Sequence, residues 1–387
     1  MRIALDLTAL LPQPTGVDVF MIRLVQALAR LDGPFEYTVY VNRGDAERLG
    51  SLPDHFRVRV GSLRSRAVRL AFQQVALPAS SYLHRFDVVH SPSFFCPLWR
   101  GAARHVLTIH DLTSFTRPGM HTRVRGSLAY RTGVHWSARR ADAVMVPSRY
   151  VAEQFAQVLP DVDAGKVVVV PEGVGPEFRP AVPGSGAGTL ARLGVRGPYI
   201  LCVSTVGMRK GIDVLLAAYE RLLAKGCPEQ LVLAGKPGTY YAALLERIRS
   251  PALRGQVVLT GYVAKEDLPP LYAGARLFVY PSREEGFGLP PLEAMASGVP
   301  TIASDGSSLR ENLAGAAELT PPEDVAALAD AMERCLREPR RRERLVAAGV
   351  ERAARFTWER TAQSMAALYA RLASAPGAGG RRASSQR

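Results

Sequence analysis

Two glutamates eight positions apart, Glu285 and Glu293, bracket a glycine turn in the segment YPSREEGFGLPPLEAMASGVPTIAS, Tyr280–Ser304. An ionised carboxylate is an acceptor-only group that can take two hydrogen bonds from vicinal hydroxyls, as on a hexose or a ribose. The apolar run Leu277–Tyr280 reads as a strand, and Pro290-Pro291 mark a helix start, where a missing N–H is no loss. Between them Gly286-Phe287-Gly288-Leu289 offer backbone N–H groups to an anion at the positive end of that helix. One carboxylate on the turn and one in the helix therefore suit a sugar and a ribose on either side of a pyrophosphate.

The second constellation is Val203-Ser204-Thr205-Val206-Gly207-Met208-Arg209-Lys210-Gly211, between the apolar run Tyr199–Val203 and a helix that begins near Ile212. Two cations at a helix start would neutralise a diphosphate. With five Lys in the chain against 44 Arg, Lys210 stands out. A third candidate is His110-Asp111, a polar pair at the end of the run His105–Ile109. On these residues alone His110 is more often a satisfied structural histidine, and Asp111 could simply cap the following turn.

Short β-rich runs position these groups. They fall at Arg2–Leu7, Tyr37–Val41, Arg57–Val60, Val88–His90, His105–Ile109, Ala143–Val146 and Val167–Val170. A second series occupies Tyr199–Val203, Leu231–Ala234, Val257–Thr260, Leu277–Tyr280, Thr301–Ala303 and Ala317–Leu319. Several are apolar throughout, as parallel strands covered on both faces are, and amphipathic stretches separate many of them. The expectation is α/β: two Rossmann-like parallel-sheet domains facing a cleft at the carboxyl ends of their strands. Composition places the domains at 1–180 and 198–355, with the Gly/Pro/Ala-rich stretch 181–197 as linker. A helix is expected over 356–373, and a disordered tail over 374–387.

The chain of 387 residues is long enough for two cores, and its apolar and charged fractions, 47% and 22%, are those of a globular protein. No run approaches the roughly 20 apolar residues of a membrane span, and no secretory signal is read at the start. Cys96, Cys202, Cys227 and Cys335 are scattered, as reduced thiols of a cytoplasmic protein are. The formal charge is +14, and Gly61–Arg140 carries twelve Arg against only Asp87 and Asp111. Such a surface suits phosphate or anionic lipid. It lacks the interleaved aromatics of single-strand nucleic-acid binding, and no nucleic-acid partner is expected. No G-x-G-x-x-G follows the first strand, which argues against a dinucleotide oxidoreductase. Asp161-Val162-Asp163 precedes a strand instead of ending one, and reads as a solvated turn rather than a metal motif.

The segment around Glu285 and Glu293 resembles the E-x7-E motif of glycosyltransferase family 4, and the likeness runs over about Met1–Leu372. The resemblance implies a retaining, nucleotide-sugar-dependent hexosyltransferase of the two-Rossmann type called GT-B. Glu285, with the backbone at Phe287, Gly288 and Leu289, would hold the transferred sugar and phosphate, and Glu293 the ribose. Arg209 and Lys210 match the family's diphosphate-binding pair, with Met208 where Pro is common. His110 would contact the donor sugar across the cleft, with Asp111 beside it. Gly16, in Pro14-Thr15-Gly16-Val17, would lie beneath the donor phosphate, although many members have further glycines here.

Catalysis would be metal-independent and without a cofactor. The motif style resembles bacterial mannosyl- and rhamnosyltransferases of surface polysaccharide synthesis, so GDP-mannose is the first donor expected; UDP-hexoses and dTDP-rhamnose stay open. The acceptor would be a lipid-linked or lipopolysaccharide-type saccharide, met at the inner face of the cytoplasmic membrane. Two other readings remain at this level. One is a catalytically silent nucleotide-sugar-binding subunit, the other a sugar-nucleotide epimerase of the same fold.

Overall fold

The computed structural model describes residues 1–99, 101–120, 124–181, 184 and 186–375. All thirteen runs expected from the sequence are strands, each within one residue at either end. In chain order the first seven are β1 (Arg2–Asp6), β2 (Glu36–Asn42), β3 (Phe56–Gly61), β4 (Val88–Ser91), β5 (Arg104–Thr108), β6 (Ala143–Val146) and β7 (Val167–Val169). They form one sheet in the order β3-β2-β1-β4-β5-β6-β7. The other six are β8 (Tyr199–Val203), β9 (Gln230–Ala234), β10 (Val257–Gly261), β11 (Leu277–Tyr280), β12 (Thr301–Ser304) and β13 (Glu318–Thr320). Their sheet has the order β10-β9-β8-β11-β12-β13.

Every pairing is parallel, with registers such as Ile3↔Tyr37 and Phe278↔Leu201. Strands β4, β6, β11 and β12 are buried along their whole length, which explains why they read as unbroken apolar runs. In each sheet the strand order reverses at the middle, between β1 and β4 and between β8 and β11. At such a switch point the loops leaving two neighbouring strands diverge, and the carboxyl ends open a crevice where ligands bind in open α/β sheets.

The chain divides into two compact units. Among the described residues, the first comprises Met1–Thr116, Val124–Gly173 and Trp358–Ala375; the second comprises Val174–Thr357 and a short stretch that starts at Arg117. The chain thus leaves the first unit briefly at Thr116/Arg117, and the main crossings fall at Gly173/Val174 and Thr357/Trp358 rather than within 181–197. That stretch, expected as a linker, belongs to the second unit and contains a helix, Ala187–Arg192. Leu190 and Leu193 pack against the second unit's core, Val195 is part of it, and Arg192 donates to Asp267 at 2.6 Å. Three apolar residues outweigh the flexible composition around them. Most of the tail expected at 374–387 lies outside the described residues.

Helix Trp358–Ser374 buries Trp358, Met365, Leu368 and Tyr369 in the first unit's core, against helix Gly16–Leu28. Its Tyr369 hydroxyl lies 2.7 Å from Nδ1 of His90, whose Nε2 lies 2.8 Å from Thr108 Oγ1. Burial, reinforced by the neighbouring His110, pushes the His90 pKa down to about 3. Below pH 6.5 an unfolded chain therefore takes up a proton that the folded chain refuses, and stability falls as pH falls. His90 accounts for about 2 kcal/mol of loss between pH 6.5 and 5. Urea titrations at both pH values should show a flatter dependence for His90→Gln than for the native chain; equal dependence would exclude His90 as the source.

Candidate active site

The two motifs meet in the second unit because β8 and β11 are sheet neighbours at its switch point. The loop leaving β8 ends in a 3₁₀ turn, Met208–Lys210, and Gly211 then opens helix Ile212–Ala224. The loop leaving β11 runs through Glu285 and Gly288 into helix Leu289–Ala296, which has Pro within its first two positions. Gly211 is left-handed (φ +67°), and a Cβ there would lie 1.9 Å from the Pro281 carbonyl oxygen, so only glycine lets the two loops press together.

At their junction the Lys210 ammonium is ion-paired with the Glu285 carboxylate, and Lys210 Nζ also lies 2.9 Å from the Tyr280 hydroxyl. Glu285 Oε1 further accepts from Ser282 Oγ at 2.5 Å and from Tyr280 at 3.1 Å. Arg209 Nη1 stands 3.9 Å from Glu285 Oε2 and donates to the Glu284 carbonyl at 2.9 Å. Glu285 is 8% exposed. Burial alone would raise its carboxyl, but the Lys210 and Arg209 cations and the Ser282 hydroxyl outweigh it, and the net direction is down. Burial, with the Glu285 charge beside it, drives the Tyr280 phenol well up.

Phe287 anchors the turn, its ring edge-on to Phe356 at 5.6 Å and its carbonyl accepting from Asn312 at 2.7 Å. Gly288 is left-handed (φ +92°) and caps the helix. Among the described residues nothing accepts from the backbone N–H of Gly288 or Leu289, so both remain available at the helix's positive end. Glu293, one turn in, accepts from the Tyr272 hydroxyl at 2.8 Å. That bond fixes one carboxylate oxygen.

The remaining predicted residues lie in the first unit. His110 is buried; Nδ1 is 3.3 Å from Glu172 Oε1, Nε2 is 3.2 Å from the Pro92 carbonyl oxygen, and Phe20 stands edge-on at 4.9 Å. Asp111 caps the turn after β5, accepting from the Thr113 amide at 3.0 Å and its hydroxyl at 2.6 Å. Gly16 is the first residue of helix Gly16–Leu28, and a Cβ there would meet nothing within 4 Å. The loop before it is held by the buried Asp18 carboxylate, which accepts from Leu11 at 2.8 Å and from the Thr15 amide at 2.7 Å.

The Glycosyltransferase Family 4 model matches residues 14–178, and the Glycosyl transferases group 1 model matches residues 197–338. O-antigen chain mannosyltransferase B of Escherichia coli is 33% identical over 275 residues, 70% of this chain and 71% of that protein. The chain belongs to glycosyltransferase family 4. It also matches the serotype-specific mannosyltransferase WbdA of Escherichia coli, 32% identical over 60% of this chain but spanning only 29% of that much longer protein. Sucrose-phosphate synthase from Thermosynechococcus elongatus shares the fold, with a TM-score of 0.75 and 24% identity, covering 96% of this chain and 98% of that one.

Several groups that build this candidate site carry no signal of their own in the sequence. Tyr280 and Ser282 lie inside the E-x7-E segment itself, at the strand end, and their position was the available signal. Arg283 had none. Its side chain is 8% exposed and grips Asp213 with two bonds of 2.7 Å, Glu323 with one of 2.6 Å, and the Met208 carbonyl. It thereby ties the turn bearing Arg209 and Lys210 to the β11 loop. The buried Glu284 accepts from Arg117 at 2.9 Å, so its charge is partnered too. Among the described residues no group of three or more His, Cys, Asp or Glu is placed to hold a metal. Asp161, in the segment that could have suggested a metal motif, accepts from His135 and Arg139, both at 2.9 Å.

Proposed function

We propose that this glycosyltransferase transfers mannose from GDP-mannose to a lipid-linked or lipopolysaccharide-type saccharide, with retention at the anomeric carbon and without a divalent metal. The observation that carries the reading is the buried Lys210–Glu285 pair, with Arg209 beside it, at the start of a helix with free N–H groups. Arg209 and Lys210 against Glu285 leave one net positive charge, to which the helix end adds its partial charge. A diphosphate entering there draws Lys210 and Arg209 onto its oxygens, and Glu285 is released to accept from hydroxyls of the donor sugar.

The charge-neutralising role that a divalent metal would play on the diphosphate falls to fixed cations. They stabilise the leaving diphosphate as the glycosidic bond breaks, and catalysis is positional and electrostatic. The leaving diphosphate takes the proton of the acceptor hydroxyl as that oxygen attacks from the same face. Glu293 holds the ribose, with Tyr272 orienting its carboxylate. For Gly16, His110 and Asp111, contact with the donor is proposed on the family resemblance alone. The mannosyl donor and polysaccharide acceptor are supported by likeness to the Escherichia coli O-antigen mannosyltransferase. The arginine-rich first unit supports work at an anionic membrane surface. No helix among the described residues is long and apolar enough to cross a membrane.

The test is thermal melting with GDP, UDP, dTDP or ADP under excess chelator. A nucleotide at 100 times its dissociation constant adds about 2.7 kcal/mol of apparent stability. GDP is expected to raise the melting temperature and the others not. A shift with UDP alone would replace the donor, a shift that needs metal would overturn metal independence, and none at all would overturn the site. Donor turned over without acceptor would favour an epimerase.

A further inference from the structure

We infer that the first unit carries an anionic-phospholipid headgroup site at the amino-terminal ends of β1 and β2, flanked by apolar side chains that enter the bilayer. The inference rests on the membrane-side reading above and gives it a location.

A cavity of about 140 Å³ opens there, lined by Arg2, Arg57, Arg59, Leu83 and His84 among others. Arg57 and Arg59 are two residues apart on β3, so both project to one face of the sheet. Neither has a hydrogen-bond or ion-pair partner among the described residues. Two carboxylates stand at Arg2: Glu36 lies 3.5 Å from its guanidinium, both side chains more than half exposed, and Asp87 accepts from its amide at 2.8 Å. From Arg57 to Phe86 the chain has six arginines and no acidic residue. The cavity therefore has uncommitted positive charge and suits a phosphate-bearing group.

A second observation identifies the bearer of that phosphate. Leu83 lines the cavity and is 78% exposed; Val75 is 63% exposed, and Trp99 52%. Tyr82 and Leu98 are exposed as well, and the Tyr82 and Trp99 rings stand 6.2 Å apart. The Tyr82–Trp99 pair with Leu83 beside it on the cavity makes an exposed apolar patch, the kind of surface that marks a contact site. Trp and Tyr favour the headgroup level of a bilayer, and reversible docking takes an apolar and a basic signal together. The absence of acids over this stretch disfavours a mixed-charge protein partner, while an anionic surface complements it.

The full-length protein should co-sediment with phosphatidylcholine vesicles containing phosphatidylglycerol, weakly with phosphatidylcholine alone, and less as salt rises. Each arginine near such a surface is worth about a fivefold change in affinity, so Arg57→Gln with Arg59→Gln should lose about 30-fold. These exposed positions leave the melting temperature and its nucleotide shift unchanged. Leu83→Ser with Trp99→Ser should lower binding to both vesicle types. If the native protein binds and the arginine pair variant binds equally, the headgroup site is wrong while the membrane reading stands. If the native protein ignores phosphatidylglycerol vesicles, both fall. A native dimer dispersed by the Leu83 and Trp99 changes would show that a second copy covers these residues, and would overturn the proposal.

Discussion

Lys210→Ala is expected to lower turnover by about 10²- to 10³-fold while the protein stays folded, the loss typical for one preorganised donor to a developing negative charge. Lys210 is the cation nearest the buried carboxylate, and it is also held over the Tyr280 ring at 5.4 Å. Its removal has two consequences with the same sign. On the proposed mechanism the leaving diphosphate loses a fixed charge, and Glu285 loses the first of the cations that offset its burial. The Glu285 carboxyl then takes up its proton at higher pH, and a protonated Glu285 is a poorer acceptor for sugar hydroxyls.

The variant should therefore show a smaller kcat and an acid limb of the pH profile displaced upward. Lys210→Arg should not restore either, because a planar guanidinium cannot take the place of a compact ammonium between Tyr280 and Glu285. Steady-state kinetics with GDP-mannose, beside circular dichroism, check both effects. Turnover within tenfold of the native enzyme would remove Lys210 from the reaction.

What made this site legible in sequence was local. The β11 run, the glycines and the Pro290-Pro291 pair each state their conformation within a few residues, so strand, turn and helix start could be placed without the fold. The buried parallel strands were legible for the same reason, since both faces are covered and the apolar run is continuous. Contacts that depend on topology were not. Lys210 and Glu285 lie 75 positions apart and meet only because β8 and β11 are neighbours. Arg283 sits in the quoted motif, but its grip on Asp213, 70 positions away, has no spacing signature. Glu172 beside His110 was invisible for the same reason, 62 positions away. The unit boundary was misplaced because 181–197 is weak in composition and strong in packing, through Leu190, Leu193 and Val195.

Gly211→Ala should be among the most damaging single methyl additions in the second unit, beside Gly235, where a Cβ would lie 1.8 Å from the Ser204 carbonyl oxygen. Two costs combine. A left-handed residue with a Cβ costs about 1–2 kcal/mol, and here the added carbon would lie 1.9 Å from the Pro281 carbonyl oxygen. That oxygen is backbone at the end of β11, a buried strand, so it cannot swing away as a flexible side chain could. The turn must move instead, and it carries Arg209 and Lys210.

A total loss of about 3 kcal/mol or more is expected, together with loss of nucleotide binding. Gly226→Ala separates the two contributions: Gly226 is also left-handed (φ +79°), but a Cβ there meets nothing within 4 Å. Gly226→Ala should cost only the dihedral strain and keep the full GDP-induced melting shift. Gly211→Ala should melt lower than Gly226→Ala and show no shift. If the two variants melt alike and both respond to GDP, the close approach of the β8 and β11 loops does not hold the phosphate-binding cations in place.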